Sequence, residues 1–191
     1  MKQGLRFVFV GPPNIWVLVK RKFYDIPFFI YFVSVHVMDR KNGACKMKLL
    51  IVDDEPYNLE AACRVLKESL DAEIVMAETV SQAIDVLLVL DFDLIITDVF
   101  IPMGADFKDY VGPRARKYQD DMQHLGGLAL LDSIEKISNP PKILVHTACT
   151  DFALLQVFGE YVVGRIPKPA PIDVFLKEVR DALDSNDSWF L

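Results

Sequence analysis

The sequence predicts an α/β fold in which five parallel strands form one sheet with helices on both of its faces. Short apolar runs alternate with segments that repeat apolar residues at helical spacing. Parallel strands need helical crossovers, and these cover both faces of the sheet, so the strands are expected to be apolar throughout. The polar residues that stand out follow directly after these runs, where each strand ends.

Composition and charge divide the chain into two parts. With 191 residues, of which 52% are hydrophobic, the chain can form one domain with an extension. Residues 1–46 carry eight Lys/Arg and two Asp/Glu, a net charge of +6, and residues 47–191 carry thirteen and twenty-five, a net charge of −12. An acidic body argues against direct binding of nucleic acid, which needs clustered basic residues.

The three cysteines, at positions 45, 63 and 149, are widely spaced and form no metal-binding or disulfide pattern. Free thiols favour a reducing compartment, so we expect a cytoplasmic protein. Cys63 falls on an apolar helical stripe, where a small buried hydrophobe is its expected role.

Residues 1–46 are predicted to be an extension of the folded body. Their longest apolar run, 26–38, has thirteen residues, fewer than the ~20 that span a bilayer, so we expect no membrane span. Met47 stands immediately before the first clear strand, and two interpretations stay open. The extension is either upstream sequence read through an early start codon, or an arm that docks on a membrane surface or a partner.

The first half of the body is predicted to contain three strands, at 49–52, 73–77 and 94–97, and two helices. The first helix has Pro56 in its first turn. Its apolar residues repeat on one face at Leu59, Ala62, Cys63, Leu66 and Leu70. Thr79 or Ser81 is expected to cap the second helix, whose apolar residues lie between 80 and 88.

The second half begins with a break in periodicity between Pro102 and Gly126. This polar stretch is predicted to be a long surface insertion at about 104–125, and loops of such length tend to have a function of their own. Helical spacing then returns from Leu128 to Ile137. The remaining predicted elements are a strand at 142–147, a helix at 152–158, a strand at 161–166 and a helix at 172–183. The domain is expected to span 47–186, with 187–191 as a short tail.

Polar side chains stand at the carboxyl ends of four of the predicted strands. They are Asp53 and Asp54, Asp98, Thr147 and Lys168. Because the carboxyl ends of parallel strands share one edge of the sheet, we expect these residues to converge on one crevice. Each residue taken alone also suits a helix cap, a strand end or a solvated surface charge. Their occurrence together at one edge favours a functional site.

Three carboxylates and a lysine in one crevice suggest a specific chemistry. Neighbouring carboxylates repel one another unless a cation lies between them. A hard ion with few protein ligands, such as Mg²⁺, suits this arrangement. A carboxylate beside an ammonium group and a hydroxyl meets the needs of phosphoryl transfer, with Asp98 as the nucleophile that forms an aspartyl phosphate.

In their order and spacing, these residues resemble the receiver domain of response regulators in two-component signalling. The motifs are Asp53-Asp54, Asp98-x-x-x-Pro102, Thr147-Ala148 and Lys168-Pro169, and the resemblance covers about 47–184. It implies a flavodoxin-like (βα)₅ fold and transfer of a phosphoryl group to Asp98 from a histidine kinase or phosphotransfer protein. Since few residues follow the last helix, we expect a receiver of the stand-alone type.

The resemblance also implies roles for single residues. Asp54 would bind Mg²⁺ directly and Asp53 through water, with Asp98 and the Phe100 carbonyl as further metal ligands. Thr147 and Lys168 would contact the phosphoryl oxygens. The Lys168-Pro169 bond is typically cis in this family. No enzymatic activity is implied beyond self-phosphorylation and self-dephosphorylation at Asp98.

The sequence departs from the family at two places. The insertion at 104–125 follows the turn that begins at Asp98, and we expect it to overhang the crevice. Arg165 stands where the family often has Tyr or Phe, so the usual coupling between that aromatic residue and the threonine is in doubt. The helix at 152–158 is apolar nearly all round. Two explanations of this apolarity stay open. The 150–183 face binds a downstream partner or a second copy, or the helix packs against the N-terminal arm.

Two other functions compete with this interpretation. A phosphatase of the haloacid-dehalogenase type also uses an Asp nucleophile at a strand end, but it needs a second Asp two residues later, where Phe100 stands. A receiver-shaped interaction module that no longer switches is the other alternative, and Arg165 keeps it open. A Rossmann-type nucleotide binder is disfavoured because no G-x-G-x-x-G follows the first strand.

Overall fold

The computed structural model describes residues 46–104, 112–113 and 125–185, which belong to a unit that runs from Lys46 to Leu191. The predictions for the N-terminal extension, for most of the 104–125 insertion and for the tail at 187–191 lie outside these residues. Of the helices in the described ranges, none is long and apolar enough to cross a membrane.

Five strands form one parallel sheet in the order β2–β1–β3–β4–β5. They are β1 (Lys48–Val52), β2 (Glu73–Ala77), β3 (Leu94–Thr97), β4 (Lys142–Thr147) and β5 (Gly164–Pro167). All four residues of the central strand β3 are buried, as expected for a strand covered on both faces. The predicted five-stranded parallel sheet is confirmed.

Five helices connect and cover the strands in the described ranges. They are α1 (Glu60–Leu70), which follows a 3₁₀ turn at Pro56–Leu59, α2 (Val80–Leu87), α3 (Gly126–Ile134), α4 (Phe152–Gly159) and α5 (Ile172–Asp184). Helices α1 and α5 pack on one face of the sheet, where Leu66 and Phe175 join a buried cluster with Ile51 and Ile96. Helix α2 packs beside α3, and the sheet is therefore doubly wound.

Two helices begin at side-chain caps, one of them at the predicted Thr79, whereas one strand boundary differs from the prediction. Thr79 accepts an amide hydrogen bond at the start of α2, and Asp151 does the same for α4. Strand β5 begins at Gly164 and not at Tyr161. The Tyr161 amide instead donates to the Phe158 carbonyl at 2.8 Å. This bond closes the turn after α4, so the chain cannot join the sheet until that turn is complete.

The strand register sets up the site. Val52 at the end of β1 is paired with Thr97 at the end of β3, so the residues that follow, Asp53 and Asp98, leave neighbouring strands side by side. The chain leaves β1 toward β2 on one side and leaves β3 toward β4 on the other, so the strand order reverses between β1 and β3. Such a switch point is where open α/β sheets bind their ligands.

The insertion leaves and re-enters the fold at anchored points. The Ser81 hydroxyl donates to the Met103 carbonyl at 2.8 Å, which holds the chain after β3 against the start of α2. Gly104 follows with φ +84, and a Cβ there would lie 2.6 Å from Ser81 Oγ, so this position requires glycine. On the return, the Gly126 amide donates to the Ile101 carbonyl at 3.0 Å. Both ends of the insertion are therefore bound close to the loop that begins at Asp98.

Candidate functional site

Asp98 lies directly after β3 and is only 8% exposed. Its amide donates to the Val52 carbonyl at 3.0 Å, which ties the residue to β1. Asp98 Oδ1 accepts hydrogen bonds from Thr147 Oγ1 at 2.6 Å and from the backbone amides of Val99 and Phe100. Three donors on one oxygen hold the carboxylate in a single orientation.

Lys168 faces the other oxygen of this carboxylate. Its Nζ lies 2.6 Å from Asp98 Oδ2 and 2.6 Å from Asp53 Oδ2. The Lys168 amide donates to the Thr147 carbonyl at 2.9 Å, and the bond from Lys168 to Pro169 is cis, as expected. Burial lowers the pKa of Lys168, but the hydrogen bonds and charges of Asp53 and Asp98 outweigh it and raise the pKa above its ordinary value. The ammonium group therefore stays charged between two carboxylates.

Asp53 and Asp54 are placed differently, although they are neighbours in the sequence. Asp53 is 3% exposed, and its Oδ1 accepts from the Glu55 amide at 3.0 Å while Oδ2 contacts Lys168. Asp54 is exposed. Within the ranges that the structure describes, no three acidic, histidine or cysteine side chains come close enough together to hold a metal ion. Asp53, Asp98, Thr147 and Lys168 thus meet at one point, and Asp54 does not form a three-carboxylate group with the two buried acids.

The donor set nevertheless fits magnesium in its chemistry. The carboxylates of Asp53 and Asp98 are hard oxygen donors of the kind that Mg²⁺ prefers. An ionised carboxylate oxygen accepts more than one partner, so the contacts with Lys168 do not use up either side chain. Phe100, the remaining predicted ligand through its carbonyl, lies next to the site, since its amide contacts Asp98 Oδ1 at 3.2 Å.

No protein-family model and no curated protein sequence matches this chain. Solved structures do match it. A CheY-like response regulator receiver domain protein from Methanospirillum hungatei is 17% identical, with a TM-score of 0.57 over 73% of this chain and 95% of its own. The non-phosphorylated HemR receiver domain from Leptospira biflexa is 20% identical, with a TM-score of 0.51 over 75% of this chain and 98% of its own.

A third match is the response regulator TrrA from Thermotoga maritima, solved in complex with Mg(2+)-BeF. It is 22% identical, with a TM-score of 0.52 over 71% of this chain and 98% of its own. These matches cover 95–98% of the matched chains. The chain has the receiver-domain fold. At such identities the likeness concerns the fold, so the roles of single residues in this receiver fold rest on the geometry above.

One residue beside the site of this receiver fold was missed by the sequence analysis. His146 precedes Thr147 on β4, is 6% exposed and packs edge-on against Phe175 of α5, with ring centroids 5.1 Å apart. Its Nδ1 is buried without a hydrogen-bond partner. Burial lowers the pKa of His146 to about 4, and the charge of Lys168 acts in the same direction. The sequence did contain a signal for this residue, because His146 is a titratable side chain inside the apolar run of β4. The sequence analysis treated it only as part of the strand.

A second missed feature is a backbone contact at Cys149. Arg165 Nη2 donates to the Cys149 carbonyl at 2.6 Å, and the Cys149 amide donates to Thr147 Oγ1 at 3.1 Å. The residue that departs from the family pattern is therefore connected to the site through hydrogen bonds. No sequence signal points to a backbone carbonyl as its partner.

Proposed function

We propose that the chain is a phosphoacceptor receiver of a two-component phosphorelay, in which Asp98 takes a phosphoryl group from a histidine kinase or a phosphotransfer protein. One observation carries the proposal. The two oxygens of Asp98 are held by the Thr147 hydroxyl and the Lys168 ammonium group, each at 2.6 Å. A nucleophilic carboxylate, a hydroxyl donor and a cation are thus already in contact at the edge of the sheet.

The proposed reaction is a direct displacement at phosphorus. An Asp98 carboxylate oxygen forms the new O–P bond while the N–P bond of the donor phosphohistidine breaks, and the imidazole leaves with the electron pair of that bond. Thr147 and Lys168 then donate to the oxygens of the transferred group in place of Asp98. Donors aimed at this position stabilise the charge that spreads over the phosphoryl oxygens in the transition state.

We propose Asp53, Asp54, Asp98 and the carbonyl of Phe100 as the residues that hold Mg²⁺ in this function. When bound, the ion would offset the negative charge of the carboxylates and of the phosphoryl group. The strongest structural support for this magnesium site is that Asp53 and Asp98 are both buried and both contact Lys168. Asp54 would have to join them on binding, since it is exposed and stands apart from them here.

Exposed apolar side chains around the acceptor support docking of a phosphoryl donor. Tyr57 (64% exposed), Phe100 (42%), Phe152 (79%) and Ile172 (43%) follow β1, β3, β4 and β5 respectively. All four therefore lie toward the carboxyl edge of the sheet that carries Asp98. We further propose that the 150–183 face passes the signal to a downstream protein or a second copy. Action in the cytoplasm is also proposed, and the free thiols of Cys63 and Cys149 agree with it.

Incubation with acetyl phosphate and Mg²⁺ tests the proposal. Intact-mass spectrometry should show one added phosphoryl group, mapped to Asp98 and absent from Asp98→Asn. The matched control is Asp93→Asn, which changes an exposed acid at the opposite edge of the sheet and should still be labelled. No adduct on the unmodified protein would leave only a non-switching module. Steady turnover of a small phosphomonoester would instead favour the phosphatase.

A further inference from the structure

Thr97 is the last residue of β3 and its only polar side chain, since the strand reads Leu-Ile-Ile-Thr. It stands directly before Asp98 and is 1% exposed. Burying a hydroxyl costs free energy unless the group finds a hydrogen-bond partner. Valine would fill nearly the same volume in this strand without that cost. The contact that the Thr97 hydroxyl makes therefore indicates what the group does.

The Thr97 hydroxyl contacts the backbone of the proposed phosphoryl acceptor. Thr97 Oγ1 donates to the Asp98 carbonyl at 2.9 Å. Helix α3 encloses the same carbonyl, because a Cβ added at Gly127 would lie 2.8 Å from its oxygen. Since Thr97 is buried and α3 covers the carbonyl, water cannot readily take the place of the hydroxyl.

This carbonyl belongs to the peptide group that holds the Asp98 side chain. The Asp98 carbonyl and the Val99 amide are two ends of one planar unit, and the Val99 amide donates to Asp98 Oδ1 at 2.5 Å. Thr97 thus holds one end of the unit while the other end holds the carboxylate. A hydrogen bond to the carbonyl also polarises the peptide group and strengthens the amide as a donor.

The peptide groups on either side of this unit are fixed by other backbone bonds. The Asp98 amide, in the group before it, donates to the Val52 carbonyl at 3.0 Å. The Val99 carbonyl, in the group after it, accepts from the Gly127 amide at 3.2 Å. In the described part of the chain, the bond from Thr97 is the one that reaches the middle group from outside Asp98 and Val99.

We propose that Thr97 is a positioning residue for phosphoryl transfer, which acts through the Asp98–Val99 peptide group to hold the Asp98 carboxylate in the orientation for attack. This role rests on the proposed function of Asp98. A carboxylate that turns less spends more of its time in line with the phosphorus atom of the donor. Without the hydroxyl, the buried carbonyl lacks this donor, and the peptide group turns toward another partner.

Two substitutions remove the hydroxyl in different ways. Thr97→Val puts a methyl group close to the Asp98 carbonyl, and Thr97→Ala leaves that space open. Labelling of Asp98 by acetyl phosphate and Mg²⁺ is followed over time by intact-mass spectrometry. We expect both variants to be slowed by roughly 3- to 10-fold, as for loss of one neutral hydrogen bond. Slowing of Thr97→Val alone would indicate a steric clash and would overturn the proposal.

A conservative variant and a matched control complete the series. Thr97→Ser keeps the hydroxyl and should restore labelling to nearly the rate of the unmodified protein. Ser133 Oγ also donates to a backbone carbonyl at 2.9 Å, that of Ala129 within α3, so Ser133→Ala removes a similar bond elsewhere and should not slow labelling. Equal slowing in Ser133→Ala and Thr97→Ala would overturn the specific role of Thr97.

NMR of the Val99 amide separates positioning from a general loss of stability. A hydrogen bond as short as 2.5 Å moves an amide proton downfield. We expect this signal to move upfield in Thr97→Val and Thr97→Ala and to stay in place in Thr97→Ser. An unmoved signal or an unchanged labelling rate in Thr97→Ala, with Asp98 of the unmodified protein labelled, would overturn the positioning role and leave the proposed function standing. Absence of label from the unmodified protein would overturn both.

Discussion

Lys142 and Lys168 stand at opposite edges of the same sheet and have nearly the same contact geometry with different partners. Lys142 Nζ donates to the carbonyls of Leu183 and Ser185, at 2.6 Å each. Lys168 Nζ donates to carboxylates of Asp53 and Asp98, also at 2.6 Å each. The acceptors of Lys142 are neutral backbone groups at the end of α5, whereas those of Lys168 are two buried acids.

The difference separates a structural edge from the edge at which we propose the function. The last carbonyls of a helix lack intrahelical partners, so Lys142 completes α5. At the same amino edge, Asp93 Oδ2 accepts from the Lys48 amide at 2.7 Å and completes the start of β1. At the carboxyl edge, by contrast, the fold keeps two acids buried beside each other, which costs free energy unless a cation pairs with them. Lys168 supplies that cation here, and buried clusters of this kind are common at functional sites.

Replacing the two lysines in turn should give the largest difference between the edges. Lys168→Met removes the cation beside Asp98, and we expect labelling by acetyl phosphate to slow by roughly 10²–10³-fold, as for loss of one transition-state donor. Lys142→Met should label at the rate of the unmodified protein. The rates are measured by intact-mass spectrometry over time. Equal slowing in both variants would mean that the two edges do not differ in function.

The pH dependence of stability sharpens the comparison, because His146 lies beside the carboxyl edge. Its pKa is about 4 in the folded protein against an ordinary value of 6.5, since it is buried and close to Lys168. As pH falls below about 6.5, the unfolded chain takes up a proton that the folded chain refuses, so folding is destabilised down to pH 4. At pH 5 this loss amounts to about 2 kcal/mol relative to pH 7.

His146→Leu should remove that part of the pH dependence. Urea unfolding at pH 7 and pH 5 measures the change in free energy of unfolding for each protein, and the variant should lose about 2 kcal/mol less than the unmodified protein. Comparison within each protein cancels the effect of the substitution on packing against Phe175. If both proteins lose the same free energy, His146 is not the group that resists protonation.

Lys142→Met tests the structural edge directly. Two carbonyls at the end of α5 lose their donor, and we expect the free energy of unfolding to fall by about 1–2 kcal/mol. Urea unfolding at pH 7 measures this change. A fall of several kcal/mol would show that Lys142 does more than complete a helix end.

Asp93→Ala should have the smallest effect. Asp93 is exposed, so water can replace its bond to the Lys48 amide, and we expect a loss of about 0.5 kcal/mol in the same measurement. Labelling of Asp98 should not change. A loss as large as that of Lys142→Met would mean that the start of β1 depends on this acid more than its exposure suggests.

Sequence reasoning reached most of the fold and the four residues at the centre of the site. Apolar runs located β1 to β4 to within a residue of their bounds, because alternation of short apolar runs and helical stripes is a local property. It missed the start of β5, since a turn bond from Tyr161 delays the strand. It also grouped Asp54 with Asp53, although neighbouring residues in an extended chain point to opposite sides, and only one of them is buried.

The sequence by itself determined which residues follow each strand, and a parallel sheet places those residues at one edge. Only the tertiary structure decided which atoms meet there. Lys168 lies between Asp53 and Asp98, which are 115 and 70 positions away in the sequence. Arg165 contacts the carbonyl of Cys149, and the Cys149 amide donates to Thr147. Such contacts depend on strand register, helix packing and loop shape, which act over the whole chain, whereas a sequence pattern reports only local spacing.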